Sequence, residues 1–388
     1  MLRRSIFLGL TLVGSFACFA AAGCGSSDST PAGGGAGGSA GSDAGTDDAT
    51  TDAPAEGSVD NKTDAGTPPG PAEAGAPDGT EALVMGVKTL YLGTSDRQGT
   101  PSTDAWKSFG YNLDGYVSTP ASTNHCKASP TANPALVKTD GKDGIDNSFG
   151  ENIMNQIIIG LEPAAEAKVN ESIQGGSFTI LIKMDNLGTA ANYTGVNAAL
   201  YAGANFDQAN TGATPLFDGT DQWPLTPELL NNNDANDPKV KFPSSYLVDN
   251  TWVSGSTGDV ALSLAISGYS LDLKIHSAVL SAKLSTDRKT ATDGVIAGVL
   301  NTEELIETLK AVAGRLSPTL CSGSTFDSIA GQIRAASDIM SDGTNGDPTK
   351  SCDGISIGLG FDGVPMLLGV VAPAATGGTD PCAVADGG

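Results

Sequence analysis

The chain has 388 residues and carries 21 Lys and Arg against 44 Asp and Glu, a formal net charge of −23. That balance excludes the clustered cations that nucleic acid requires, and it disfavours electrostatic docking on an anionic membrane surface. It suits a soluble body outside the cell and is compatible with divalent cations.

In chain order, the first feature is a targeting segment. Arg3 and Arg4 give a short basic start, Ile6 to Phe19 is apolar, and Ala20-Ala21-Ala22-Gly23 supplies small residues before Cys24. Ala21-Ala22-Gly23-Cys24 resembles the lipobox of bacterial lipoproteins. The resemblance implies cleavage after residue 23, a diacylglycerol on the Cys24 sulfur and acylation of its new amine. Each buried methylene of such an anchor would contribute ~0.8 kcal/mol. Gly25, rather than Asp, follows the anchor, and by the same resemblance this favours the outer membrane or cell surface.

Residues 24–80 read as an anchored linker built from Gly, Ala, Ser, Thr, Asp and Pro, with Val59 its one bulky aliphatic residue. Such a composition predicts disorder, because too little apolar surface exists to offset chain entropy. On Gly-rich chain statistics the span is roughly 40 Å. Cleavage would leave 19 cations against 44 acids, or −25, and the body from 81 to 388 holds 18 against 34, or −16. Its 308 residues suffice for one large domain or two closely packed ones.

The body opens with an aromatic-rich segment, "DAWKSFGYNLDGYVST", read as core packing. "DGKDGIDNSFGE" follows, from Asp140 to Glu151, with Asp140, Asp143 and Asp146 at every third position. Aspartates in a Gly-containing loop match the oxygen ligands that calcium takes. The stretch resembles the calcium loops of thrombospondin-type repeats, with Lys142 where those loops carry another acid. The competing reading is a helix start: Asp146 or Ser148 as the cap, Ser148-x-x-Glu151 as a capping box, and two Asp-Gly turns. A helix over 148–169 is then predicted, striped by Ile153, Ile157 and Leu161 and kinked or ended by Pro163.

Strand-like alternation begins at "FTILIKM" and continues in "VNAALYAG". "FDGTDQW" then combines Asp218, Asp221 and Trp223, and "NNNDANDP" spans 231–238. Polar Asp/Asn loops beside an exposed aromatic are the pattern of sugar-binding modules, so these three residues are the candidate ligand site. From 259 to 285 the alternation is strongest, through Val260, Leu262, Leu264 and Ile266, then Leu271, Leu273 and Ile275, then Ala278, Leu280, Ala282 and Leu284. This predicts an antiparallel meander with one buried face. "GVIAGVL" adds a strand, and "GISIGLGFDGVPMLLGVV" reads as a hairpin turning at Asp362-Gly363. Its literal Gly-x-Gly-x-x-Gly is followed by strand residues rather than a helix, which argues against a dinucleotide site. Helices are predicted over 301–314, with Asn301 and Glu304 in a capping-box pattern and Gly314 as C-cap, and over 324–340.

Four cysteines remain in the body, and export favours two disulfides. Cys321 and Cys352 bracket one predicted helix, and closing that loop would contribute ~3.6 kcal/mol. The expected pairs are therefore Cys321–Cys352 and Cys126–Cys382. The cysteines lack zinc-site spacing.

The expected fold is a β-rich α+β body, an antiparallel sheet or β-sandwich with about three packed helices. The Gly-x-Ser-x-Gly matches at Gly37–Gly41 and Gly354–Gly358 fall in the linker and in a strand-like run, not at the strand-to-helix turn of a nucleophile elbow, and the sequence has two histidines, His125 and His276. The expected role is a non-enzymatic binding or structural one at the envelope, with a glycan or an envelope protein as partner and calcium as a stabilising ion. The alternatives are a glycan-directed hydrolase with paired carboxylates and a lipid carrier.

Overall fold

In the computed structural model, the described residues are 61–374, apart from 124, 256–257, 267–268 and 317–319, together with Cys382. The signal segment, Cys24 and the linker up to residue 60 lie outside them. Residues 56–388 make up one compact unit.

Eleven strands form a single sheet. They are β1 (Leu83–Tyr91), β2 (Thr179–Met184), β3 (Tyr193–Gly203), β4 (Gln222–Leu225), β5 (Val240–Val248), β6 (Thr251–Val253), β7 (Gly258–Ile266), β8 (Tyr269–Leu284), β9 (Ala291–Asn301), β10 (Gly354–Pro365) and β11 (Leu367–Val371). Eight of them close a ring. β1 pairs with β2, β2 with β3, β3 with β5, and β5 with β6. β6 pairs with β8, β8 with β9, β9 with β10, and β10 returns to β1. Every step is antiparallel and follows chain order, so the sheet is an up-and-down barrel. β7 extends the ladder along the first half of β8, and β4 meets β3 at Gly203–Leu225. β11 lies parallel on β4.

Local sequence explains the ladder's irregularities. In β8 the buried set changes parity, from Leu271, Leu273 and Ile275 to Ala278, Leu280, Ala282 and Leu284. The ladder shifts register at that point, and Ser277 takes a left-handed backbone with φ 49°. One extra residue in a bulge moves the following side chains back to the buried face. In β10, Asp362-Gly363 makes no turn. The strand runs through it, with Asp362 opposite Thr89 and Gly363 opposite Val87. A Cβ on Gly363 would stand 2.8 Å from the Gly86 carbonyl oxygen. The glycine there serves close strand approach at a bulge, and the expected hairpin is absent.

Ile355, Ile357, Leu359 and Phe361 of β10 are fully buried, and the alternate residues are also covered. Cβ atoms at Gly358 and Gly360 would meet Phe109 at 2.1 and 2.4 Å. Fully buried Trp252, Phe242, Leu90 and Leu181 join one apolar cluster with the helices.

Among the described residues, four helices have ten residues or more: a π-helix (Phe149–Ile158), α1 (Ala165–Gln174), α2 (Thr302–Leu316) and α3 (Ser324–Ala335). Among the described residues none is long and apolar enough to cross a membrane. Pro163 separates the first two, as predicted. The wider π winding buries Phe149, Ile153, Met154, Ile157 and Ile158, and Leu161, in the short α-helical turn Ile159–Leu161 that follows, is exposed. Ser148 does not cap this helix, because its hydroxyl donates to the Ala336 carbonyl. Asn147 Oδ1 instead accepts from Gly150 N–H at 2.9 Å. Asn301 does cap α2, accepting from Glu303 and Glu304 N–H, but the helix continues through Gly314.

Residues 61–80, read from composition as linker, are tied to the barrel. Thr194 N–H donates to the Gly75 carbonyl, Gly79 N–H to Asn186, and Tyr246 Oη to the Pro69 carbonyl. Asp78 accepts from Tyr193 Oη. The disulfides are Cys126–Cys352 and Cys321–Cys382, which corrects the expected pairing. The shorter loop is the easier one to close in an unfolded chain, but backbone geometry decides the native pair. Beside the first bridge, Lys127 N–H donates to the Lys350 carbonyl and Cys352 N–H donates to the Lys127 carbonyl.

Gly358→Ala is expected to destabilise the body by about 1–3 kcal/mol, the cost of overpacking a filled site. A urea titration of residues 56–388 measures it.

Candidate functional site

Two sites result from this fold. The first lies where the segments around 112–118, 138–147 and 338–345 come together. Asp146 is buried and accepts from Leu113 N–H at 2.7 Å and Asp114 N–H at 3.3 Å. Half-buried Asp114 accepts from Tyr116 N–H at 2.8 Å and from Asn345 Nδ2 at 3.0 Å. Asp140 accepts from Ser118 N–H. Asp338 accepts from Ser356 N–H at 2.8 Å and from its hydroxyl. Asn345 Oδ1 accepts from Cys126 N–H at 2.6 Å, which links the cluster to the Cys126–Cys352 bridge.

Burial and mutual repulsion act on these carboxyls together. Burial, reinforced by Asp114 and Asp338, pushes Asp140 up to about 8. Burial takes Asp338 up to about 7. Asp146 stands well above the ordinary carboxylate range for the same reason, with Asp114, Asp140 and Asp338 adding repulsion. Asp114 is raised by burial. Nearby Glu151 is pushed up to about 8, again mainly by burial.

This arrangement differs from the cation loop read in the sequence. Asp140 and Asp146 belong to the cluster, but Asp143 sits exposed in a left-handed turn, φ 58°. Among the described residues no group of three or more His, Cys, Asp or Glu is arranged to hold a metal ion. The carboxyls accept from backbone N–H groups 2 to 33 positions away, and Asp114 also accepts from the Asn345 side-chain amide 231 positions away. Asp114, Asp338 and Asn345 escaped the sequence reading because nothing local marks them.

The second site is a shallow pocket of about 190 Å³ on the barrel's outer face. Lys183, Ala199 and Lys241 are directly opposed across β2, β3 and β5. The small Ala199 side chain forms the floor between two lysines. Lys183 pairs with Asp185 at 2.8 Å and Lys241 with Asp237 at 2.6 Å. The "NNNDANDP" loop contributes Asn236 and Pro238, and Asn197 is exposed at the rim. Tyr201 Oη donates to the Ala235 carbonyl at 3.1 Å and pins that loop.

The expected sugar site around Trp223 is not formed. Trp223 is fully buried, packs against Phe206 and Phe217, and donates its indole N–H to the Ala204 carbonyl at 2.7 Å. Asp221 is buried and accepts from Leu216 and Phe217 N–H, and Asp218 only closes a turn on Thr220. An aromatic flanked by polar residues reads alike whether it faces solvent or a satellite core. His276 bridges Asp259 at 3.2 Å and Glu304 at 3.3 Å, both carboxylates.

No protein-family model, curated protein or solved structure matches this chain.

The raised carboxyls set a pH dependence. Between about pH 4 and pH 8 the unfolded chain releases these protons while the folded chain keeps them, so stability falls as pH rises through that window. Thermal melts should give a lower midpoint at pH 8.5 than at pH 5. Asp140→Asn, which keeps an oxygen for Ser118 N–H, should flatten the slope, and an unchanged slope would refute the burial argument.

Proposed function

We propose that this chain is a lipid-anchored protein of the bacterial envelope, held at the outer membrane or cell surface through Cys24, with a non-enzymatic binding role. Its ligand class is a glycan. The observation that carries the reading is the pocket between Lys183 and Lys241. It offers ammonium, carboxylate and amide groups at close quarters, the donor and acceptor set that hydroxyl-rich ligands need. A volume of about 190 Å³ suits one sugar unit at a chain end better than an enclosed drug-sized molecule. The lipobox resemblance supports the anchor.

A second reading, glycan hydrolysis, rests on the raised carboxyls of Asp140 and Asp338. A group poised near neutral pH is suited to general acid work.

Residues 56–388 should be retained on a panel of envelope and host glycans without turnover, and Asn236→Ala with Lys241→Ala should abolish retention while leaving the melt unchanged. Retention that survives the double variant would remove the pocket from the account. Turnover that disappears in Asp140→Asn would replace the binding role with the hydrolytic one.

A further inference from the structure

Exposed large apolar side chains are few among the described residues, and most of them meet at one place. Leu216, Leu367 and Val370 are 70%, 46% and 65% exposed, and Leu161, far along the chain on a separate helix, is the fourth. Leu216 and Leu367 are neighbours through Asp221, whose carboxylate accepts from Leu216 N–H and whose carbonyl accepts from Leu367 N–H. Leu367 and Val370 belong to β11, the last strand of the sheet. β11 pairs with β4 on one side, and no described strand pairs with its other edge.

An open edge offers a row of backbone donors and acceptors, and native proteins usually guard such edges with charge or proline. β11 has neither. From Gly363 to Thr379 the sequence holds no charged residue, although the body carries 34 acids. The strand is also fixed. Met366 before it is buried, Leu368 and Val371 pack on the core, and a Cβ on Gly369 would stand 2.7 Å from the Trp223 carbonyl oxygen.

Charge decides the occupant. A two-fold contact sets each side chain against a copy of its own surface, so acidic surface repels itself and only an uncharged strip can pair. The strip around β11 meets that condition. An anionic membrane would instead face a body of net charge −16. We infer that two copies of this chain associate through β11, the open edges lying antiparallel about a two-fold axis that brings exposed Leu367 and Val370 of each copy into the contact. The contact is apolar, and both open edges are satisfied at once.

The acidic bodies still repel one another at a distance, and salt screens that repulsion. Association should therefore strengthen with ionic strength.

The test is sedimentation velocity on residues 56–388 over a concentration series, at low and high NaCl. The expected result is a dimer that tightens with salt. Leu367→Lys and Val370→Lys, at exposed positions that leave the melt unchanged, should each weaken it by at least about tenfold. Leu161→Lys should leave it intact. A monomer at every concentration would overturn the inference. So would a dimer that survives both edge variants, or one lost equally in Leu161→Lys. Flotation with neutral lipid vesicles of a protein that stays monomeric would assign the patch to a lipid surface and overturn the inference as well.

Discussion

The structure depends on satisfying both edges of β1. In its first half, Leu83 to Gly86 pair with β2, and from Met85 to Tyr91 the other edge pairs with β10. That second ladder joins the first strand of the barrel to the last. Beyond Gly86, β2 diverges and leaves β1 with open backbone groups on one side. Side chains of α1 and its surroundings fill the gap. Asn170 accepts from Leu90 N–H and donates to the Leu90 carbonyl, both at 2.8 Å, as a strand would. Gln174 donates to the Lys88 carbonyl and Thr179 to that of Val87. Buried Glu166 accepts from Leu92 and Thr94 N–H. A buried backbone group left unpaired costs roughly 1–3 kcal/mol, so this one helix face keeps the ring closed where the sheet alone would open.

The same substitution of side chains for strands recurs on β10. Where β1 has ended, Asn147 takes the Gly358 N–H and carbonyl, each at 2.9 Å, and Asp338 takes the Ser356 N–H. The acidic cluster is thus a continuation of the sheet's hydrogen bonding into the loops. Its carboxyls give direction to chain segments that have no regular structure, and the Cys126–Cys352 bridge holds those segments to the start of β10. The elevated acidities follow from that use. Several acceptors are packed together, and the described residues place no Lys or Arg in hydrogen-bonding or ion-pairing contact with them.

Much of the sheet was legible because one-sided burial writes itself as alternation. The stretch from Val260 to Leu284 even recorded its bulge, in the change of parity after Ile275. β1 and β5 were not legible. "LVMGVKTLY" is apolar on both faces, and "VKFPSSYLV" carries Pro243, which normally argues against a strand. Asp362-Gly363 carries a turn signal in a strand, since glycine serves close approach as readily as reversal. For the sites, the polar loop at 231–238 was visible as a loop, but its partners Lys183, Asn197 and Lys241 come from strands that only the barrel brings together. The disulfide pairing depended on the same long-range geometry, and so did the burial of Trp223.

Closure of the ring at β1 is tested most directly by amide hydrogen exchange at and just beyond this strand. If the ring is closed and α1 supplies the missing partners, the Leu90 and Leu92 amides of residues 56–388 exchange as slowly as those of β9 in the middle of the sheet. Exchange at those two amides as fast as in exposed loops would mean that β1 has an open edge, and the barrel description would fail.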